Sequence, residues 1–500
     1  MNNVGSNGNY WSSTANGTDN AYNVNFNSGN VNPANNNNRN NGFSVRLVRP
    51  VESTYIPLSL SFHFLNKQYM TLTREQLLAD LYEAYYDARK HKRNKGYQLR
   101  FEARLAENLE ELCDALYTRT YRPLPSSCFI ITDPKKREVF AAEFRDRVVH
   151  HLYYNYTYKM FERTFIHDTY SCLAGRGTHY GIRRLQQHIR SASRNYTRPC
   201  WVMKMDIRGY FMSINRERLL EICLESLARM SRHKVSRHRR ERWADVTDMD
   251  FVRWLTREIV LLDPLVGCKV VGAPSEWEGL PRNKSLYNSA EGCGLPIGNL
   301  TSQLFSNVYL NVFDQYMKRH LHCRHYGRYV DDFYVVGSDR EWLLSLVPPV
   351  RDFLLAELGL SFHDGKLCVN SAWHGTEFLG AWLKPRRIYA SRSTVGRMSR
   401  KLRVLAASGR QKWQASLNSY CGVLSHWQNY RLRRQLMTSG GDFTGYGMFN
   451  SAYTKYVMLS IQNGTARYQN RNCAVFDSKL RSLKPETAQY EIQDCAGREK

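Results

Sequence analysis

The stretch Arg328-Tyr329-Val330-Asp331-Asp332-Phe333-Tyr334-Val335-Val336 sets two adjacent carboxylates between runs of β-formers. Aromatic and β-branched residues on both sides predict short strands at 329–330 and 333–336. Two like charges a few ångström apart raise each other's pKa, so the pair belongs at a hairpin tip where a cation can offset the repulsion. Asp is also an ordinary turn residue, and a lone pair of this kind proves nothing. A third carboxylate changes the balance: Asp206 ends the apolar run Trp201-Val202-Met203-Lys204-Met205, predicted to be a buried strand. Magnesium takes hard oxygen ligands, several of them carboxylates, together with substrate phosphates. Three carboxylates on neighbouring strand ends would hold two such ions, one activating an attacking hydroxyl and one stabilising a departing phosphate.

Composition agrees with a phosphate-rich partner. The 500 residues carry 71 Lys and Arg against 45 Asp and Glu, a formal net charge of +26. An excess of this size points to a polyanion, most often nucleic acid. With 42% hydrophobic residues the chain can bury a large core, which excludes wholesale disorder and fibrous folds. No run approaches the ~18 apolar residues of a membrane span, and the N-terminus lacks the pattern of a secretion signal. The twelve cysteines are scattered singly, without zinc spacing. A reduced, cytoplasmic protein without membrane contact is expected.

Along the chain, residues 1–50 stand apart. Seventeen of them are Asn, and the segment has a net charge of only +2. It is expected to be a disordered, low-complexity appendage, although Ser44-Val45-Arg46-Leu47-Val48 alternates like a strand. Residues 72–116 and 142–165 read as helical, and Phe129-Ile130-Ile131 as a strand. Gly298 opens a helix whose apolar positions Leu300, Leu304, Val308, Val312 and Tyr316 step by four. Residues 229–242 carry seven Lys or Arg; a template-RNA contact and a solvated helix face are both open readings. Residues 411–437 read as a basic amphipathic helix. Its Trp413, Tyr420, Trp427 and Tyr430, with Arg431, Arg433 and Arg434, suit either a nucleic-acid groove or an aromatic core.

The ordered motifs resemble those of reverse transcriptases. Tyr329-Val330-Asp331-Asp332 is similar to the YxDD motif, and Met205-Asp206-Ile207-Arg208-Gly209-Tyr210-Phe211 to the first metal-binding strand. Gly294 to Gln303 resembles the loop that contacts nucleotide and template. Gly365-Lys366 and Glu377-Phe378-Leu379-Gly380 resemble the lysine turn and primer grip. Asp133 to Val139 with Phe144 to His151 resembles the fingers. The likeness covers roughly residues 70–435. It implies an α+β right-hand polymerase: a palm with an antiparallel sheet packed on helices, and a helical thumb. Fingers and palm would span 51–390, the thumb 391–440 and a tail 441–500.

By the same resemblance Asp206, Asp331 and Asp332 would be catalytic and hold two Mg2+ ions, with Mn2+ able to substitute and the Ile207 carbonyl as a further ligand. The substrates would be deoxynucleoside triphosphates. Lys135 or Lys136 and Arg137 would bind the triphosphate, and Phe211 would exclude a ribose 2′-hydroxyl. Ile297, Gly298 and Gln303 would lie at the nucleotide, and Lys366 would protonate the leaving pyrophosphate. Plain core for Phe211 and a solvated turn for Lys366 are the alternatives.

Ile297-Gly298-Asn299-Leu300-Thr301-Ser302-Gln303 departs from the QGxxxSP of most members, with Ile for Gln and Gln for Pro. Both changes resemble the reverse transcriptases of diversity-generating retroelements, within the superfamily of group II intron and retron enzymes. That branch implies error-prone copying of a template-repeat RNA through an RNA/DNA hybrid, and a small, basic, helical accessory protein. Residues 1–50 resemble a translated template repeat. An intron-, retron- or phage-defence-type enzyme of ordinary fidelity is the alternative.

Overall fold

The computed structural model describes residues 7–16, 20–27, 30–38, 71–90, 95–132, 135–438, 447–458, 460–462 and 465–467. The chain divides into a unit of residues Met1–Asn66 and a unit of residues Lys67–Lys500.

In the first unit, β1 (Asn7–Asn16), β2 (Asn20–Asn27) and β3 (Asn30–Asn38) pair antiparallel in the order β1-β2-β3. Tyr10 stands opposite Val24, and Phe26 opposite Val31. These strands differ from the disorder that the Asn-rich composition predicts. Tyr22, Val24 and Phe26 alternate with period two, the pattern of a strand. The expected strand at 44–48 lies outside the described residues.

The second unit opens with α1 (Arg74–Arg89), α2 (Gly96–Glu102) and α3 (Leu105–Tyr117), so the helical stretch read from sequence is three helices. Thr73 caps α1 by accepting from the Gln76 amide at 3.2 Å. A hairpin follows, β4 (Ser127–Ile131) and β5 (Arg137–Ala141), then α4 (Phe144–Glu162) and α5 (Thr178–Ala192). Strand β6 (Trp201–Asp206) leads through α6 (Tyr210–Ser213) into α7 (Arg216–Ser231), α8 (Trp243–Val246) and α9 (Met249–Val260). The two-residue β7 (Lys269–Val270) adds in parallel to β4. The long α10 (Leu300–Arg319) precedes β8 (Tyr326–Tyr329) and β9 (Asp332–Gly337). Helices α11 (Arg340–Ser345) and α12 (Val347–Leu358) lead to β10 (Cys368–Ser371). A three-stranded sheet, β11 (Thr376–Phe378), β12 (Ala381–Lys384) and β13 (Arg387–Ala390), comes next. Three helices follow: α13 (Arg392–Ser408), α14 (Arg410–Leu424) and α15 (Tyr430–Thr438).

The central sheet has the order β10-β6-β9-β8, every pairing antiparallel. Both of its faces are covered, which is why β6 and β9 read as nearly unbroken apolar runs. Met203, Met205, Phe333 and Val335 enter one core with α4, α7 and α10. Val202, Tyr334 and Val336 enter a second with Ile182, Leu185 and Ile189 of α5. Neighbouring residues thus serve opposite faces, as the pleat requires.

The helix read over 411–437 is broken between α14 and α15. Trp413 and Trp427 are buried, and Arg433 is buried too, donating to the Leu424 carbonyl at 3.1 Å. These residues are core, not the exposed groove surface that their basic, aromatic composition also allowed. The tail adds the hairpin β14 (Gly447–Phe449) and β15 (Tyr456–Met458), with Tyr456 edge-on to Trp413 at 5.5 Å. Among the described residues no helix is long and apolar enough to cross a membrane.

Candidate active site

Strands β6 and β9 run side by side, and their register sets Asp206 opposite Asp332. Asp331 sits in the turn from β8 to β9, and its carbonyl accepts from the Ile207 amide at 3.4 Å. The turn requires Val330 to take a φ of 55°, a left-handed conformation that costs a β-branched residue roughly 1–3 kcal/mol. Two hydrogen bonds hold it there: the Val330 amide donates to Ser171 Oγ at 3.2 Å, and Arg328 Nη1 donates to the Val330 carbonyl at 2.9 Å.

Arg328 is itself fixed. Its guanidinium is wholly buried and meets Asp314 of α10 in a bidentate pair, Nε to Oδ1 and Nη2 to Oδ2, both at 2.7 Å. Tyr326 Oη and Thr169 Oγ1 donate to the same carboxylate at 2.6 and 2.9 Å. Burial works against the Arg328 charge, but Asp314 more than offsets it. A buried charge pair is tolerable only when its remaining valences are met in this way.

Burial, with Asp206 nearby, raises the Asp331 carboxyl to about 6, while Lys366 and Arg137 pull it back. Burial also raises Asp332 to about 7, with Lys204 opposing and the other two aspartates reinforcing. Lys204 Nζ lies 3.9 Å from Asp332, and Lys366 Nζ is ion-paired with Asp206. Among the described residues no three His, Cys, Asp or Glu side chains close into a metal-ligand cluster. The donors nevertheless suit a divalent cation: hard oxygens on adjacent backbone segments, with the Asp331 and Asp332 carboxyls raised by burial and by the neighbouring carboxylates. A cation here would have to displace Lys366 from Asp206. Ile207 lies between Asp206 and the Asp331 carbonyl, so its own carbonyl is a candidate donor.

The expected nucleotide-binding residues split into two groups. Phe211, half-buried, shares an apolar cluster with Phe140, Met212, Leu286 and Ile297. Ile297 is tied to β5 through its carbonyl, which accepts from the Phe140 amide at 2.8 Å. Gly298 has a φ of 133°, and a Cβ there would fall 2.6 Å from the Phe140 carbonyl oxygen. The close approach of loop and strand therefore demands glycine. Lys135, Arg137 and Gln303 are exposed. The Arg137 charge is close enough to Asp331 to favour its ionised form. Lys136 donates to the Glu278 carbonyl at 2.6 Å, while Lys135 has no hydrogen bond or ion pair among the described residues. Asp133 and Pro134 lie outside the described residues. Beside Asp206 a cavity of about 540 Å³ is lined by Arg208, Arg282, His363 and Asp364 among others.

The motifs in the sequence assign no role to Arg328 and do not point to Asp314 or Lys204. A charged residue at an inward position of a strand is the available signal. A second network surrounds Asp168. Arg184 Nε donates to buried Asp168 at 2.8 Å, and His188 and Lys318 lie within 4 Å of it. Burial opposes the Asp168 charge, yet the bonds from His188 and Arg184 hold the carboxyl well below the usual range. The Asp168 carbonyl accepts from the Arg328 amide at 2.9 Å, so this network braces the edge of β8.

Residues 135–383 match the model of the family described as reverse transcriptase (RNA-dependent DNA polymerase). Protein YkfC of Escherichia coli (strain K12) is 27% identical over 218 residues, 43% of this chain and 47% of that protein. The chain thus spans about half the length of the curated relative it matches. Telomerase from Candida albicans in complex with a TWJ fragment of telomeric RNA aligns at TM-score 0.39 and 12% identity, over 66% of this chain and 57% of that one. Apo telomerase from Candida tropicalis, truncated from its C-terminal domain, gives 0.38 and 11% over 56% and 59%.

Proposed function

We propose that this chain, whose residues 135–383 are a reverse transcriptase domain, copies RNA into DNA at the Asp206, Asp331 and Asp332 carboxylates. The observation that carries the reading is the β6–β9 register, which sets Asp206 against Asp332 with Asp331 in the adjoining turn. In this reading fingers and palm lie within 51–390, the thumb within 391–440 and a tail in 441–500.

The three aspartates and the Ile207 carbonyl would hold two Mg2+ ions. When bound, the ions lower the pKa of the attacking 3′-hydroxyl and stabilise the leaving pyrophosphate. The protein's own residues do the rest. Lys366 compensates Asp206 in the ion-free site and would give a proton to pyrophosphate. Arg137 and Lys135 bind the triphosphate as phosphate donors. Phe211 occupies the space of a 2′-hydroxyl, and its apolar cluster with Ile297 supports that position. Gly298 lets the loop seat against β5, and Gln303 on the first turn of α10 is exposed to template.

The finer reading is error-prone copying of a template-repeat RNA, as in diversity-generating retroelements, with a small basic accessory protein and with residues 1–50 as a translated template repeat. It is supported by Ile297, an aliphatic side chain where a hydrogen-bonding amide would discipline the incoming nucleotide. The test is to extend a DNA primer on RNA with and without the accessory protein and sequence the cDNA. Errors concentrated opposite template adenine are expected. An even, low error spectrum would reject the finer reading, and no extension on any RNA would reject the activity itself.

A further inference from the structure

We infer that the cleft at the C-terminal ends of α4, α7 and α10 is a second RNA-binding site, which grips phosphates away from the primer terminus. The inference rests on the proposal that the chain works on RNA.

The cleft has a volume of about 880 Å³ and is lined by Arg163, Arg229, Lys234, Arg237 and Arg319, with His233 beside them. No Asp or Glu lines it. Helix α10 begins next to the Ile297-Gly298 loop and ends at the cleft, and its 20 residues span roughly 28 Å at 1.5 Å per residue. The cleft is therefore separate from the carboxylates.

Cations gather at helix C-termini for a structural reason, because the helix dipole is negative there. Three helix ends supply roughly −1.5 elementary charges between them, which five cations exceed. Of the five, Arg163 has a visible structural role. Its Nη1 donates to the Lys234 carbonyl at 2.6 Å, and its Nη2 to the Val235 carbonyl. That clasp closes the loop after α7, which is tied further by the Val235 amide to the Glu241 carbonyl at 3.0 Å and the Trp243 amide to the His233 carbonyl at 3.1 Å. The loop presents its charges from a hydrogen-bonded frame. Arg229, Lys234, Arg237 and Arg319 are exposed, and among the described residues none of them forms an ion pair.

Concentrated, uncompensated cations in a concave frame fit phosphate. The lining holds none of the exposed large apolar side chains that would anchor a protein partner. Phosphate contacts of this kind position RNA without reading its sequence. A template long enough to cover the length of α10 would engage both sites.

The test uses the full chain carrying Arg229→Gln, Arg237→Gln and Arg319→Gln together, against a control with Arg100→Gln, Arg194→Gln and Arg198→Gln elsewhere on the same unit. Binding of a long single-stranded RNA is measured over a range of salt, and thermal melting checks folding. Losing three phosphate contacts should lower the slope of log affinity against log salt by about 2, and weaken binding ~10- to 100-fold at 0.1 M salt. Extension of a short primer–template should stay at the wild-type level. Affinity and slope equal to wild type, or an equal loss in the control, would overturn the inference. So would a variant that keeps RNA but loses an acidic polypeptide. If the wild-type chain extends no primer and the triple variant still loses long RNA, the site stands and the polymerase reading fails.

Discussion

Replacing Arg328 by Met should separate what the buried pair does for stability from what it does for catalysis. Arg328 and Asp314 are both fully buried, and the guanidinium spans Asp314 and the Val330 carbonyl. Met fills similar space but leaves Asp314 as an uncompensated buried carboxylate, at a cost of about 3–5 kcal/mol. The Val330 carbonyl loses its donor as well, which adds about 1 kcal/mol. At 2–4 °C per kcal/mol for domains of a few hundred residues, the melting temperature should fall by roughly 10 °C. Arg328→Met/Asp314→Asn removes the stranded charge and keeps an oxygen for Tyr326, so it should recover about half of that loss. Primer extension should not recover with it, because the left-handed turn at Val330 still lacks its Arg328 clamp and Asp331 is no longer held. Differential scanning fluorimetry and single-nucleotide incorporation give the two readouts. The reasoning is refuted if activity returns in step with melting temperature, since the pair would then serve stability alone.

Ion-free protein should lose stability as pH rises from about 4 to 7. Asp331 and Asp332 bind protons more tightly folded than unfolded, so the folded state holds more protons in that window and stability falls with pH. Added Mg2+ should therefore raise the melting temperature more at pH 7.5 than at pH 5.5; an equal rise at both would mean that it binds elsewhere. Phe211→Val should admit ribonucleotides while retaining deoxynucleotide incorporation, and an unchanged rGTP to dGTP ratio on an RNA template would make Phe211 plain core. Ile297→Gln should improve discrimination opposite template adenine by roughly five-fold, from about 1 kcal/mol of restored hydrogen bonding. Sequenced cDNA with an unaltered adenine error rate would place the low fidelity outside this loop.

The elements that carry the carboxylates were legible because both faces of the central sheet are covered, so β6 and β9 stand out as apolar runs ending in charge. The Arg328–Asp314 pair was not legible. Arg328 was visible only as a base beside an acidic motif, and Asp314 only as a polar position on a mostly apolar helix; their contact depends on how α10 lies against β8. The aromatics of α14 and the turn after it misled for a related reason. Trp413 and Trp427 among bases read equally as groove or core, and the break at residues 425–429 hides inside a helical pattern. In the first fifty residues, asparagine content outweighed the three-residue alternation Tyr22, Val24, Phe26 that marks β2.

The central claim is that Asp206, Asp331 and Asp332 form one catalytic unit, and the most direct measurement is single-turnover incorporation of one deoxynucleotide on an RNA template by Asp332→Asn. The substitution keeps the shape and removes the charge, so the rate should fall by at least ~1,000-fold, about 4 kcal/mol of barrier. The melting temperature of the ion-free protein at neutral pH should hold or rise, because burial and the neighbouring carboxylates oppose ionisation of Asp332. Retention of more than a few per cent of the wild-type rate with Mg2+ in the folded variant would contradict the account.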